Sequence, residues 1–282
     1  MFRSPLSYCG STLLISFSLI LLCGSIRVLH AEANRTPPGI GVDERVGDTV
    51  PLDTPLINES GERVLLGDFF KDGKPVILIP GYYTCPRLCT LVFNGVFNGA
   101  DSVIPDGLVP GRDYHIVSLS FDSDDTPETA HKKGAVYRSR LQTKLASTNG
   151  TLDESGWTFL TGTPDSIADV MDAIGYRYRS DGEEDFTHAA AVAILSPRGV
   201  ITRYLYGIEH SQRDFRLALI EASQGKLRPS VGDRIYLFCF RYDNQKGQYS
   251  PYAWAFMRIG GGLVLLVLVA LVIFLKVTER KG

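Results

Sequence analysis

The chain has 282 residues, a formal net charge of −2 and 21% charged residues. This balance excludes a polycationic nucleic-acid-binding protein and a disordered acidic protein, so we expect no nucleic-acid partner. The length suits one mid-sized globular domain with additional segments at its ends.

The N-terminus has the three parts of an export signal. Arg3 supplies the positive charge, Leu13–Leu22 is the apolar core, and Ala31 to Ala33 form a cleavage site of the A-x-A type. We therefore predict a signal peptide over residues 1–33, with an uncleaved anchor helix as the alternative. Residues 34–54 follow as an extended lead-in that is rich in proline, glycine and charge.

The segment Pro75–Ala100 carries the residues with the clearest chemistry. Pro75–Pro80 is almost wholly apolar and predicts a buried strand, and a helix is predicted from Pro86 onward. Cys85 and Cys89 lie at the start of that helix, where unpaired N–H groups and the helix dipole favour thiolate. Two such sulfurs can bind a soft metal ion or close a disulfide. A purely structural disulfide is the weaker alternative, because a bridge across so few residues constrains the chain little.

Strands and helices alternate through residues 55–224. The order ββαβαβαββα, with the cysteine turn between a strand and a helix, predicts an α/β domain with a thioredoxin-like fold. In chain order, the further elements are a hairpin at Leu56–Leu66, a strand at Tyr114–Phe121, a helix capped by Asp125 or Thr126 that ends near Leu145, a strand at Trp157–Leu160, a helix at Ser166–Ile174, a hairpin of Ala189–Leu195 with Val200–Tyr206, and a helix at Ser211–Ser223.

Two groups of residues are predicted to stabilise the fold and not to bind a cofactor. Phe93 and Phe97 are four residues apart and are predicted to pack in the core, whereas Gly95 and Gly99 let a neighbouring element approach closely. An acidic cluster after the strand Tyr114–Phe121 is predicted to cap the next helix and to face solvent, because carboxylates are hard donors that suit a soft metal poorly. Its members are Asp122, Asp124 and Asp125.

The C-terminal part departs from this plan. Residues 225–257 are predicted to be a membrane-proximal extension with a strand around Cys239. Ile259–Leu275 contains no charged residue, so we predict a transmembrane helix over 258–276. Positive charges in the tail, 277–282, place it in the cytoplasm and the domain on the extracytoplasmic, periplasmic side of the cell membrane.

Copper is the metal that the two sulfurs favour. Two thiolates and one imidazole suit a soft ion such as Cu(I), whereas structural zinc takes four ligands. Spacing alone does not choose the histidine, although His188 has an advantage because it follows a polar turn and precedes a strand. The candidates are His115, His131, His188 and His210.

Three motifs resemble the Sco/SenC family of thioredoxin-like copper proteins that assemble cytochrome c oxidase. They are YYTCPRLC at Tyr82–Cys89, FDSDDTPE at Phe121–Glu128 and FTHAAAVAILSPRG at Phe186–Gly199. The resemblance implies that Cys85, Cys89 and His188 bind copper as Cu(I) or Cu(II), with the cysteines also acting as a redox disulfide pair. Many members have a proline directly after the second cysteine, where this chain has Thr90.

Two functions compete on this basis. The first is a metallochaperone that delivers copper to the binuclear copper site of a cytochrome c oxidase subunit, with other copper chaperones or thiol reductants as further partners. The second is a membrane-anchored thiol–disulfide reductase that acts on that subunit or on other exported proteins. A thiol peroxidase is weaker, because Arg87 alone supports it. The predicted terminal anchor resembles a bacterial subgroup of the family in which a cysteine-containing segment precedes the membrane helix.

Overall fold

The structure of the protein is a computed structural model. It describes residues 39–85, 88–147, 151–153, 156–182, 185–224, 237, 240–243, 248–251 and 253–279. By its internal contacts the chain divides into Met1–Pro38 and Gly39–Gly282. The predicted signal peptide, Pro86, Arg87 and Cys239 lie outside the described residues, as does the end of the predicted tail.

A five-stranded sheet forms the centre of the domain. Its strands are β4 (Val76–Gly81), β5 (His115–Ser120), β6 (Trp157–Leu160), β9 (Ala191–Leu195) and β10 (Ile201–Tyr206). Their spatial order is β10-β9-β4-β5-β6. The neighbours β4, β5 and β6 are parallel, whereas β9 is antiparallel to both β4 and β10. The mixed α/β fold of the thioredoxin type is thereby confirmed.

The central strand β4 is buried at every position. Its apolar sequence suits a sheet that is covered on both faces, where alternation with polar residues would leave polar groups in the core. The buried strand predicted at Pro75–Pro80 is therefore confirmed, and the chain leaves its carboxyl end directly into the segment that carries the two cysteines.

In the described part of the domain, four helices follow strands of this sheet. They are α1 (Leu88–Val103), α2 (Pro127–Ala146), α3 (Pro164–Ala173) and α4 (Gln212–Ala222). The side chains of Thr126, Thr163 and Ser211 accept hydrogen bonds from the first turns of α2, α3 and α4, so each begins at an N-cap. α1 packs against α2 and α4, α2 against β6, and α4 against β9 and β10. Phe93 and Phe97 of α1 are buried in the core, as predicted.

Two glycines of α1 allow α4 and the segment before it to approach. A Cβ atom at Gly95 would overlap the backbone carbonyl of Ile208, and one at Gly99 would overlap the ring of Phe215. The predicted close approach is confirmed at both positions.

A second, smaller sheet positions the candidate histidine. It contains β1 (Gly41–Val42), β7 (Tyr176–Ser180) and β8 (Phe186–His188), in the order β1-β7-β8 and antiparallel throughout. In this sheet, Tyr178 lies opposite His188. The sequence indicated a charged turn before His188 but not the β7–β8 hairpin that the turn closes.

Two hairpins and a long helix are the remaining elements among the described residues. The predicted hairpin at Leu56–Leu66 is present as β2 (Pro55–Ile57) and β3 (Arg63–Leu65), and a 3₁₀ helix follows at Leu66–Phe70. Near the C-terminus, β11 (Phe240–Asp243) pairs with β12 (Gln248–Pro251), and α5 covers Ala253–Glu279. Judged on the described residues alone, the chain has no helix that is long and apolar enough to cross a membrane. The membrane span predicted at 258–276 therefore finds no support in the structure.

Candidate metal centre

A buried carboxylate fixes the turn that follows β4. The backbone N–H of Tyr83 donates a hydrogen bond of 2.7 Å to Asp125, which also accepts from Ser120 at 2.7 Å and from Thr129 at 3.0 Å. Asp125 is 6% exposed, so the prediction that it faces solvent is wrong, and Thr126 is the residue that caps α2. Asp125 instead stabilises the turn that leads to Cys85.

The second cysteine lies in the first turn of α1, against the end of β4. Cys89 is buried, and a Cβ atom at Gly81 would lie 3.8 Å from its sulfur and 3.1 Å from the ring of Phe93. Glycine at this position therefore leaves room for the Phe93 ring, while the sulfur lies at an ordinary contact distance. On its other side, the Cys89 sulfur lies 3.0 Å from Nε2 of His188.

Hydrogen bonds at the opposite ring nitrogen assign the tautomer of His188. Its Nδ1 lies 2.9 Å from the carbonyl oxygen of Ala189 and 2.9 Å from the hydroxyl of Tyr176. A carbonyl oxygen can only accept, so Nδ1 carries the proton. Tyr176 also donates to Ala189 at 2.5 Å, which ties all three groups together. The lone pair of Nε2 therefore faces the Cys89 sulfur and accepts its S–H.

Cys85 completes the sulfur pair. Its side chain is within hydrogen-bonding reach of the Cys89 thiol and of the Tyr82 hydroxyl. Cys85 and Cys89 are both buried, and no disulfide joins them. Both sulfurs and the Nε2 atom of His188 therefore lie at the carboxyl end of β4.

Burial shifts the pKa values of the Cys89 thiol and of the His188 imidazole. Burial raises the pKa of the Cys89 thiol, and the neighbouring Cys85 acts in the same direction, while the Tyr82 N–H and Lys133 act against it. The expectation that the helix start favours thiolate is therefore wrong for Cys89, because desolvation outweighs the helix dipole. Burial also lowers the pKa of His188, which favours the neutral imidazole that a metal requires.

Aromatic rings cover the imidazole of His188. The ring centroids of Phe121 and Tyr82 lie 5.2 Å and 6.3 Å from that of His188, and both rings are edge-on to it. The Tyr82 hydroxyl donates a hydrogen bond to Asp185, the residue before β8, and this bond links the cysteine turn to the β7–β8 hairpin. These contacts keep water from the imidazole and hold the cysteine turn against the β7–β8 hairpin.

The other three candidate histidines lie elsewhere in the described domain. His115 starts β5, at the opposite end of the parallel strands, and its Nε2 lies 2.7 Å from the carboxylate of Asp72. His131 is exposed on α2. His210 packs near Phe215 of α4. Among the described histidines, His188 alone reaches the sulfurs.

The three predicted ligands are adjacent but do not form an open metal site. No group of three or more His, Cys, Asp or Glu side chains among the described residues has the spacing to hold a metal ion. The S–H of Cys89 and the lone pair of His188 are engaged with each other. A bound ion would replace that proton, so the ligand set Cys85, Cys89 and His188 stays a prediction. Its donor set of two sulfurs and one imidazole nitrogen fits a soft monovalent ion.

Sequence reasoning missed several residues of this site. Tyr176, Lys133 and Asp185 have no motif of their own, and their roles follow from tertiary contacts. The alternation of Tyr and Arg in Tyr176–Ser180 was the one available signal, since it is typical of a half-buried strand.

Comparisons with known proteins agree with this architecture. The family model of SCO1/SenC matches residues 50–219. A proposed electron transfer protein from Aquifex aeolicus VF5 is similar at 29% identity and a TM-score of 0.53, with 65% of this chain and 96% of that chain covered. No curated protein matches the chain.

Two further solved structures are less similar. The copper-bound ScoI of Arabidopsis thaliana has 21% identity and a TM-score of 0.47, over 64% of this chain and 98% of that chain. BsSco, a member of the Sco family of cytochrome c oxidase assembly proteins, has 18% identity and a TM-score of 0.46, over 66% and 99% of the two chains. Since the family model covers more than half of the sequence and ends within the described domain, the chain belongs to the SCO1/SenC family.

Proposed function

We propose that the protein is a copper-binding assembly factor that delivers copper to the binuclear copper site of a cytochrome c oxidase subunit. The observation that carries the proposal is the 3.0 Å contact between the Cys89 sulfur and Nε2 of His188, with Cys85 beside it. Membership of a family that includes copper-bound proteins and oxidase assembly proteins supports the choice of metal and partner.

In this proposal copper is a cargo, and each residue has a separate task. Cys85 and Cys89 supply two soft sulfur donors, and His188 supplies a neutral nitrogen whose orientation Ala189 fixes through Nδ1. Both thiols give up their protons when the ion binds, so loading releases protons to solvent. A site with three protein donors leaves the ion open to attack by the ligands of a recipient.

A thiol–disulfide reductase is the second candidate, and the adjacent thiols of Cys85 and Cys89 favour it. One thiolate would attack a disulfide of the partner, and the other would resolve the mixed disulfide. The pair would lose two electrons and two protons and become a disulfide, while the partner gains both. This chemistry does not need an imidazole ligand.

The variant His188→Ala separates the two functions. We expect one Cu(I) per wild-type chain under reducing conditions, no tight binding in Cys85→Ser or Cys89→Ser, and strongly weakened binding in His188→Ala. Cells that carry His188→Ala should lose oxidase activity about as fully as the cysteine variants, with partial recovery on added copper. Near-normal oxidase activity in His188→Ala at low copper would favour the reductase instead.

The proposed location is the extracytoplasmic side of the cell membrane. The uncharged run Ile259–Leu275 and the signal-like N-terminus support it, and the apolar side chains along α5, such as Leu266 at 69% exposure, need a cover. A protease added to intact spheroplasts should digest the domain and spare the tail. Protection of the domain until the membrane is permeabilised would contradict this location.

A further inference from the structure

Thr90, the residue after the second cysteine, connects the cysteine turn to α2. Its hydroxyl donates a 2.9 Å hydrogen bond to the backbone carbonyl of Cys85 and accepts a 3.2 Å bond from Nζ of Lys133. One side chain thus closes the loop between the two cysteines and fixes a cation beside it. A proline at this position has no hydroxyl and would make neither bond.

Lys133 has an unusual environment for a lysine. It is half-buried on α2, its hydrogen-bond partner is a neutral hydroxyl, and its Nζ lies 5.6 Å from the ring centroid of Phe93. Burial lowers the pKa of Lys133, and the sulfurs of Cys89 and Cys85 and the carboxylate of Asp125 act in the opposite direction. The ammonium therefore lies in the electric field of the sulfur pair, with Asp125 as the one carboxylate among these groups.

The ammonium group of Lys133 can offset the net charge of the metal-loaded site. Two thiolates, one monovalent ion and one neutral imidazole add up to a net charge of −1, inside a site where Cys89 is 1% exposed. A buried net charge without compensation is costly, and a nearby opposite charge offsets that cost strongly where water is excluded. The free dithiol has no such charge, since its thiols are neutral when protonated.

We propose that Lys133, held in place by Thr90, is the counter-charge of the sulfur pair in its metal-loaded, anionic form. The proposal rests on the proposed copper function and adds a positioning pair that selects the loaded state over the empty one. It predicts that the cation strengthens binding of any soft monovalent ion at the two sulfurs. Silver(I) is such an ion and provides a probe that is independent of oxidase assembly.

The main test compares Lys133→Met with Lys133→Arg in the full-length chain. Methionine keeps a linear side chain over Phe93 and removes the charge, whereas arginine restores the charge. Affinities for Cu(I) and Ag(I) are measured by competition with a chromophoric chelator. We expect Lys133→Met to bind both ions about tenfold more weakly and Lys133→Arg to recover most of the loss. The matched control is Lys132→Met, which removes the same charge from an exposed lysine paired with Glu128.

A second pair of variants tests the role of the hydroxyl without changing charge. Thr90→Val removes both hydrogen bonds at nearly constant volume and should weaken binding several-fold, whereas Thr90→Ser should bind like wild type. If Lys133→Met does not fold, the comparison of Thr90→Val with Thr90→Ser still tests whether the positioned Lys133 strengthens metal binding.

The outcomes separate the two proposals. Equal affinities for Lys133→Met, Lys132→Met and wild type would overturn the counter-charge, even if wild type binds one Cu(I). A wild-type chain that binds Ag(I) but no Cu(I) would overturn the copper function, and the Ag(I) affinities would still decide the counter-charge. A chain that binds neither ion would overturn both.

Discussion

The sulfur of Cys89 lies 3.0 Å from Nε2 of His188, although the two residues are 99 positions apart in the chain. The contact joins the first turn of α1 to the end of β8. The contact depends on the groups around the other ring nitrogen of His188. Ala189 and Tyr176 hold Nδ1, so the proton stays on Nδ1 and the lone pair of Nε2 faces the sulfur.

Removing the Tyr176 hydroxyl should weaken metal binding without removing a ligand. In Tyr176→Phe, Nδ1 of His188 keeps Ala189 as its acceptor but loses the hydroxyl that holds both groups in place. We expect Cu(I) affinity to fall about tenfold, as for other groups that orient a ligating histidine. Chelator competition measures the change, with Tyr178→Phe as a control on the same strand. An unchanged affinity would show that the backbone carbonyl is sufficient.

Metal affinity should rise with pH. Burial raises the pKa of the Cys89 thiol, so this group is protonated at neutral pH and must release its proton to the solvent when the ion binds. Each unit of pH should therefore strengthen Cu(I) binding about tenfold for every thiol proton released. Chelator competition between about pH 6 and pH 8 gives the slope, and the proton count follows from calorimetry in two buffers. A flat profile would mean that the thiols are already ionised.

Stability should fall in mild acid because of His210. Burial lowers its pKa from 6.5 to about 4, and its Nε2 has no hydrogen-bond partner among the described residues. The unfolded chain therefore binds this proton more readily, and the neutral imidazole stabilises the fold at pH values above 6.5. Between pH 6.5 and 4 the loss from this residue should reach roughly 2 to 3 kcal/mol.

Urea unfolding as a function of pH tests this histidine. His210→Phe should flatten the dependence in that window, and burial lowers the pKa of His188 too, so part of the slope should remain. The control is His131→Gln, which removes an exposed histidine on α2 and leaves the buried environment of His210 intact. A slope that is unchanged in His210→Phe would contradict the assignment.

A methyl group at Gly95 should destabilise the domain. It would overlap the backbone carbonyl of Ile208, which cannot rotate away as a side chain can. We expect a net loss of about 1 to 3 kcal/mol in the free energy of unfolding, although alanine is the better helix former. The control is Gly261→Ala on α5, where an added Cβ meets no atom within 4 Å. A variant Gly95→Ala as stable as wild type would mean that the segment at Ile208 moves freely.

Local patterns were sufficient for much of the fold. The apolar run of β4 and the paired glycines of α1 each have one simple physical interpretation, and the structure agrees with both. The cap of α2 was narrowed to Asp125 or Thr126, and the structure selects Thr126. The sulfur pair was equally visible, because Cys85 and Cys89 are close in the chain.

The histidine and its surroundings were harder to predict for a physical reason. Spacing could not choose His188 among four candidates, since the contact depends on β8 lying beside α1, and the resemblance made that choice. The protonation of Cys89 was mispredicted, because the helix start is visible in the sequence and the depth of burial is not. Asp125 was likewise taken for a surface group, although three hydrogen bonds hold it inside.

The antiparallel pairing of β9 with β4 has a consequence for the order in which the site can assemble. During synthesis both cysteines leave the ribosome long before His188, and in the folded domain the pairing of β9 with β4 brings the chain that follows His188 alongside the strand that leads to the cysteines. Such long-range pairing forms slowly, because the entropy cost of closing a large loop comes before the contacts that offset it. The nascent chain thus displays a bare dithiol for a time, during which oxidants and foreign metals compete for it. Maturation of the protein should therefore depend on reductants that act while the chain is still incomplete.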